Sequence, residues 1–220
     1  MGFVQLSTRV GLAWIPEPAS EPEDVLVVDV GDSFVDLRMN KADGSISWGM
    51  AGPRETLSES PLTCKWTKTI DSRGTPSGSS DIGSFEDLPN GDAIEKGSMP
   101  NPAKGGQVME YEEFWRGVPT KGSSWPIAWI LESQGDDKKT FLGRIGNYYV
   151  ALNQPKEGAF GAVREDFEDG KWTTKYAVSA TGLPSLKAAN GCFDGEDTWK
   201  AGETITISGE QYKVLAHEKL

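Results

Sequence analysis

The chain has 220 residues, of which 37% are hydrophobic, and it carries a formal net charge of −11 with a single histidine. An acidic surface repels phosphate backbones and anionic lipids, so this charge argues against nucleic acid and membrane as partners. The 26 glycines and 13 prolines are typical of many short strands joined by turns.

The N-terminal half reads as a series of strands. Alternating polarity predicts an opening strand over residues 3–10, before an acidic, proline-rich loop. Residues 25–30 form a β-branched run, and the alternation over residues 33–39 predicts a strand that returns, after a turn at Gly44, over residues 46–50. The first half therefore contains at least one hairpin.

The strand at residues 33–39 separates two kinds of side chain by their parity. Successive side chains of a strand point to opposite faces. One face carries Val35, Leu37 and Met39, and the other carries Phe34, Asp36 and Arg38.

The stretch from Ala13 to Leu37 is repeated, at a constant offset of 115 residues, by the stretch from Ala128 to Leu152. The copies share identical residues without a gap: Ala13/Ala128, Trp14/Trp129, Ile15/Ile130, Glu17/Glu132, Gly31/Gly146, Val35/Val150 and Leu37/Leu152. Self-similarity at a long, fixed period indicates that one structural unit is used more than once.

Downstream the offset drifts but the order of elements is kept. The motif Lys65-Trp66-Thr67 is echoed by Lys171-Trp172-Thr173, and residues 203–217 are typical of a final hairpin. Residues 183–191, with Pro184 in the first turn and Asn190-Gly191 as the stop, predict a short helix.

These patterns predict an all-β protein of two similar antiparallel barrels, with residues 1–105 in the first and 106–220 in the second. Closure into a barrel removes the exposed sheet edges. Two strongly curled half-barrels are the variant of this fold, and a two-sheet sandwich is its competitor.

The cysteine content and the N-terminus favour a cytoplasmic, or also nuclear, protein. Cys64 and Cys192 are too few for a disulfide framework or a four-ligand zinc site. The first residues lack the basic and apolar regions of a signal peptide.

The stretch from Trp48 to Thr56 resembles a motif of a small fungal family, the Hri-like proteins. The matching positions are Trp48, Ala51, Gly52, Glu55 and Thr56, followed in order by Phe114-Trp115, Gly143-Arg144 and a terminal segment from Tyr212 to His217. The resemblance implies two lipocalin-like barrels. It also implies a protein-kinase partner of the casein-kinase-one type, and it implies no activity.

Several kinds of chemistry are absent from the sequence. With His217 as the single histidine, the chain cannot build a histidine-rich metal site. It contains no phosphate loop, dinucleotide fingerprint, G-x-S-x-G or H-E-x-x-H motif. We therefore expect no metal and no cofactor.

Aromatic side chains on the strands are candidates to bind a small apolar or aromatic molecule inside a barrel. An eight-stranded barrel has room for packed side chains or for one small ligand. The candidates are Phe34, Trp48, Trp66, Trp115, Tyr149 and Trp172. Packing of these side chains into an ordinary core is the alternative.

Charged and phenolic groups on strands are candidates for catalysis. An arginine inside a barrel needs a carboxylate or an anion beside it. The candidates are Arg54, Glu55, Glu113, Arg144 and Tyr148. Arg144 is of particular interest because its equivalent in the first copy is Asp29, so the two copies differ in charge on a shared scaffold.

The sequence leaves three functions open. The first is a binding protein for a small apolar or aromatic molecule. The second is a cofactor-independent isomerase, cyclase or dehydratase of fungal secondary metabolism that uses carboxylate, Arg and Tyr groups. The third is a protein-interaction module with a kinase partner.

Overall fold

The structure is a computed structural model that describes residues 2–220, and almost all of its regular structure is strand. The first sheet has nine strands: β1 Val4–Trp14, β2 Glu23–Val30, β3 Ser33–Asn40, β4 Ile46–Glu59, β5 Leu62–Thr67, β6 Ile70–Asp71, β7 Ser80–Asp87, β8 Ala93–Asn101 and β9 Gln107–Gly117. The second sheet has seven: β10 Ile127–Ser133, β11 Lys138–Ile145, β12 Tyr148–Pro155, β13 Gly161–Glu168, β14 Lys171–Val178, β15 Thr204–Ile207 and β16 Glu210–Lys219. The predicted all-β class is confirmed.

Eight strands of the first sheet close into an antiparallel barrel. Its order is β1-β2-β3-β4-β5-β7-β8-β9, and β9 returns to pair with β1. The two-residue β6 lies outside the ring and pairs with β4. Closure leaves no free edge in the ring, which is how a sheet of this size avoids edge-to-edge association.

The second sheet follows the same plan but stays open. Its order is β14-β13-β12-β11-β10-β16-β15, and its end strands β14 and β15 are not paired with each other within residues 2–220. Between them, residues 179–203 form successive turns instead of a strand equivalent to β7. The molecule thus contains one closed barrel and one open sheet.

The internal repeat is visible in the strand boundaries. β2 and β11 begin and end 115 residues apart, and so do β3 and β12. Gly31 and Gly146, which separate these strands, have φ angles of 58° and 56°, in the left-handed region that glycine adopts without steric cost. The duplicated sequence therefore encodes a duplicated local structure.

The two sheets pack against each other through one apolar layer. Val35, Leu37 and Met39 of β3 lie in this layer, together with Val150 and Leu152 of β12. Because the equivalent outer faces of the two copies meet, we call it the shared layer. The opposite face of β3, with Phe34, Asp36 and Arg38, points into the barrel.

Two details differ from the sequence prediction. Residues 183–191 form turns rather than a helix. The short helical segment that the structure does contain within residues 2–220 is a 3-10 turn at Pro102–Lys104. Strand β9 starts after the predicted boundary of residues 105/106 but hydrogen-bonds to β1 and β8. The change of sheet therefore lies between Gly117 and Ile127, because β9 is needed to close the barrel.

Candidate functional site

The closed barrel contains a cavity with a volume of ≈ 320 Å³, which we call the barrel cavity. All eight strands of the ring contribute to its walls. The exposed residues Gln5, Leu62, Asp87 and Gly91 belong to its lining, so the cavity reaches the solvent at the rim. Its size lies at the lower end of the range for small-molecule sites.

The wall of the barrel cavity is rich in aromatic side chains. They are Phe34, Trp48, Trp66, Phe85, Tyr111 and Trp115. The indole Nε1 of Trp48 donates to Asp71 Oδ1 at 2.8 Å, which fixes this ring. Trp66 meets Phe85 edge to face, with centroids 5.8 Å apart. Fixed aromatic walls of this kind favour flat or apolar ligands.

A buried ion-pair network lies at one side of the cavity. Arg38 donates to Asp36 Oδ2 at 2.9 Å and to Glu113 Oε1 at 2.7 Å. Arg9 binds the same Glu113 oxygen from β1. Burial acts to raise the pKa of Glu113, but the guanidinium groups of Arg38 and Arg9 outweigh it and lower that pKa. Glu113 is therefore an ionised structural anchor of this network.

Glu95 of β8 has a raised pKa, in contrast to Glu113, its partner on the adjacent strand β9. Its Oε1 accepts from the Tyr111 hydroxyl at 2.7 Å, and its Oε2 accepts from the Trp115 indole at 2.9 Å. Burial, followed by the negative charge of Glu113, raises the pKa of Glu95 to about 8. Glu95 thus carries a proton at neutral pH.

Asp29 is a second carboxyl group of the cavity wall with an unusual environment. It is 7% exposed, and its Oδ1 accepts no hydrogen bond from residues 2–220. The nearest cation is Arg54, whose Nε lies 3.9 Å from Oδ1, too far for a hydrogen bond. Burial raises the pKa of Asp29 to about 7, against the opposing effect of Arg54.

The inside of the second sheet is filled rather than hollow. Side chains from the turns between β14 and β15, Leu186, Phe193 and Trp199, pack against Trp129 in an apolar cluster. The centroid of the Trp129 ring lies 6.0 Å from that of Phe193 and 5.5 Å from that of Trp199. We call residues 179–203 the plug segment, because it occupies the position that is empty in the barrel.

The plug segment also supplies a charge. Arg144 is fully buried inside the second sheet, where it forms an ion pair with Glu196 and donates to the carbonyl oxygens of Gly146 and Gly191. Burial lowers the pKa of Arg144 and raises that of Glu196, although each stabilises the charge of the other. Arg144 Nη2 has no acceptor among residues 2–220.

The structure divides the residues singled out in the sequence into two groups. Six of them line the barrel cavity: Phe34, Trp48, Arg54, Trp66, Glu113 and Trp115. Tyr149, Trp172 and Arg144 lie instead inside the second sheet. Tyr148 packs against the shared layer, and Glu55 is exposed on the outside of β4, 3.8 Å from Lys65. These last five residues do not face the barrel cavity.

Sequence reasoning missed several groups of the site. Asp36 and Arg38 share the cavity-facing parity of Phe34, so the alternation along β3 contained the signal for both. Glu95 and Tyr111 had no such signal, because their pairing joins β8 to β9. Glu196 lies in an acidic turn sequence that is typical of a solvated loop, yet it is 3% exposed.

Comparison with known proteins places the chain in a family. The sequence model of the family described as Protein HRI1 matches residues 5–216. The chain belongs to the HRI1 family. Comparison with curated protein sequences finds no match.

A solved structure with a similar fold comes from Saccharomyces cerevisiae. It is the crystal structure of an uncharacterized protein, YLR301w, with a TM-score of 0.76 and 16% identity to this HRI1 family member. The similarity covers 98% of this chain and 99% of that chain. At this identity the likeness concerns the fold alone.

Two further observations concern metals and membranes. Within residues 2–220, no three His, Cys, Asp or Glu side chains are arranged to hold a metal ion. No helix in the same range is long and apolar enough to cross a bilayer.

Proposed function

We propose that this HRI1 family member is a binding protein for a small molecule with an aromatic or apolar body, which it holds in the barrel cavity. The observation that carries the proposal is the contrast between the two units. The interior of the second sheet is filled by its own plug segment, whereas the barrel retains a cavity of ≈ 320 Å³. A cavity of this size and lining supports a ligand of drug-like dimensions or smaller.

The proposal is tested with a panel of small aromatic molecules, by tryptophan fluorescence and by thermal unfolding. A ligand at 100 times its Kd stabilises the folded state by about 2.7 kcal/mol. For a chain of this length, that corresponds to a rise in Tm of roughly 5–10 °C. If no member of the panel changes the fluorescence or the Tm, the proposal is wrong.

A matched pair of variants locates the binding site. Ala93 lines the barrel cavity, whereas Ala188 is exposed on the plug segment. We expect Ala93→Phe to weaken binding at least tenfold, because its ring occupies the cavity, and Ala188→Phe to leave binding unchanged. Equal binding by both variants would place the ligand elsewhere on the molecule.

A cofactor-independent enzyme is a second candidate, favoured by two carboxyl groups. Asp29 and Glu95 line the same cavity, and their pKa values of about 7 and about 8 suit proton transfer near neutral pH. In such a reaction the Asp29 carboxylate removes a C–H proton, while Glu95 gives its proton to the carbonyl oxygen of the substrate. The products are an enol, a protonated Asp29 and an ionised Glu95.

The enzyme candidate is tested with tetralone, which joins an aromatic ring to a ketone with acidic C–H groups. Proton transfer predicts that the protein accelerates deuterium incorporation from D₂O, measured by NMR, and that Asp29→Asn removes the acceleration. An exchange rate equal to that of buffer would reject this candidate for such ketones. A protein-kinase partner, which the family resemblance implies, stays a prediction.

A further inference from the structure

The two copies of the repeated unit place opposite charges at one equivalent position. Asp29 of β2 and Arg144 of β11 are 115 residues apart and occupy the same place in their strands. Both side chains point to the inside of their own unit, Asp29 into the barrel cavity and Arg144 into the filled interior. In both units, this position therefore places a charged side chain towards the interior.

The second unit shows what such a filling consists of. The plug segment brings apolar bulk, Phe193 and Trp199, and it brings one carboxylate, Glu196, that forms an ion pair with Arg144. The filling thus combines an aromatic body with a charge opposite to that of the wall. Burying a charged group without such a partner is strongly unfavourable.

Within residues 2–220, no separate segment of the chain enters the barrel as the plug segment enters the second sheet. Where the second unit has the plug segment, the first has strand β7, which pairs with β5 and β8 and becomes part of the wall. Asp29 Oδ1 has no hydrogen-bond donor among residues 2–220. The Arg54 side chain does not take this role, because its guanidinium lies over the Phe3 ring at 4.2 Å and its Nη2 donates to Cys64 Sγ.

We propose that the ligand of the barrel cavity is an organic cation with an aromatic or apolar body, and that its protonated nitrogen donates to Asp29. This inference rests on the proposed binding function and adds the charge of the ligand to it. The ligand would fill the barrel as the plug segment fills the second sheet. Its positive charge would pair with Asp29, whereas the negative charge of Glu196 pairs with Arg144.

The surroundings of Asp29 fit this class of ligand. The cavity lining contains six carboxyl groups, of which Glu95 is protonated at neutral pH, and two guanidinium groups, so its charge still favours a cation. Phe34 pairs with Asp29 across β2 and β3, and Trp66 pairs with Arg54 across β4 and β5. Aromatic faces next to a carboxylate bind organic cations through cation–π attraction as well as apolar contact.

The test compares three probes that share one body and differ in charge: phenylbutylamine, phenylbutanol and phenylbutyrate. Their dissociation constants are measured by isothermal titration calorimetry at pH 8, where Asp29 is largely ionised. A hydrogen bond between charged groups contributes about 10- to 100-fold in affinity. We expect phenylbutylamine to bind tighter than phenylbutanol by this factor, and phenylbutyrate to bind most weakly.

Two variants with the same change of net charge locate the anchor. Asp29→Asn removes the carboxylate inside the barrel, and Asp32→Asn removes an exposed one three residues away. We expect Asp29→Asn to abolish the preference for the amine while keeping the affinity for the alcohol, and Asp32→Asn to change neither. Urea unfolding of Asp29→Asn verifies that the variant is folded.

The other possible results reject either the inference about the cation or both proposals. If the amine and the alcohol bind equally well, or the preference survives in Asp29→Asn, the inference about the cation is wrong while the binding function stands. Tighter binding of the butyrate has the same meaning. If none of the three probes binds, and the aromatic panel also has no effect, both proposals are wrong.

Discussion

The protonated Glu95 makes the stability of the barrel depend on pH, and Glu95→Gln isolates this effect. Glutamine keeps the shape of the side chain, and its carbonyl oxygen can still accept from the Trp115 indole, as Glu95 Oε2 does. Its amide group can donate to the Tyr111 oxygen. The variant therefore removes the titration of Glu95 without opening a void.

The direction in which the free energy of unfolding changes with pH follows from the pKa of Glu95 in the unfolded and in the folded chain. The ordinary glutamate pKa is 4.5, and that of Glu95 in the folded protein is about 8. Between these values the unfolded chain releases the proton while the native chain keeps it, so the free energy of unfolding falls as the pH rises. The loss approaches completion above pH 8, where the native state also becomes ionised. From pH 5 to 8.5 the loss amounts to about 4 kcal/mol, since each pH unit contributes about 1.4 kcal/mol.

The assay is urea unfolding followed by tryptophan fluorescence at pH 5 and pH 8.5. Asp29 titrates in both proteins, so the difference between wild type and Glu95→Gln reports Glu95 alone. We expect Glu95→Gln to gain about 4 kcal/mol relative to wild type between the two pH values. Glu55→Gln, at an exposed position, is the control and should gain nothing. Parallel pH profiles of wild type and Glu95→Gln would refute the argument that burial keeps Glu95 protonated.

Two further predictions concern the second unit and the shared layer. Glu196→Gln leaves the buried Arg144 without its counter-charge and should lower the free energy of unfolding by about 3–5 kcal/mol in urea titrations; a loss below about 1 kcal/mol would mean that the pair is not buried. A fragment of residues 2–118 exposes Val28, Val35 and Leu37 of the shared layer, each contributing about 1.5–3 kcal/mol when buried, so it should lack a cooperative calorimetric transition at the Tm of the whole chain. A cooperative fragment of equal Tm would show that the two units fold independently.

The local fold was predictable because it depends on patterns within short stretches. The period of two over β3 separated Val35, Leu37 and Met39 from Phe34, Asp36 and Arg38, and the structure places these sets on opposite sides of the strand. The offset of 115 residues located β11 and β12 from β2 and β3. Such patterns are intrinsic to the chain, so no knowledge of distant contacts was needed.

The parts that sequence did not predict depend on contacts between distant segments. The proline, alanines and glycine of residues 183–191 predicted a helix where the structure has turns, and no periodic pattern of apolar residues over 179–203 indicates that these turns fold back into the second sheet. The same holds for the pairing of Arg144 with Glu196, which are 52 residues apart. These contacts fill the second sheet and leave the cavity in the barrel. Because the sequence does not show them, it did not indicate which of the two units holds the site.

Strand β3 has no surface facing the solvent, since one face lines the cavity and the other lies in the shared layer. A one-residue slip in its register would exchange the two sets, which would put Asp36 and Arg38 among apolar side chains and Val35 and Leu37 into the cavity. Substitutions in this strand are thus constrained on both faces, on one by the cavity and on the other by the packing of the shared layer. Among relatives of this chain, β3 should tolerate fewer substitutions and fewer insertions than strands of the same barrel that keep an outer face, such as β7, with Ile82 exposed.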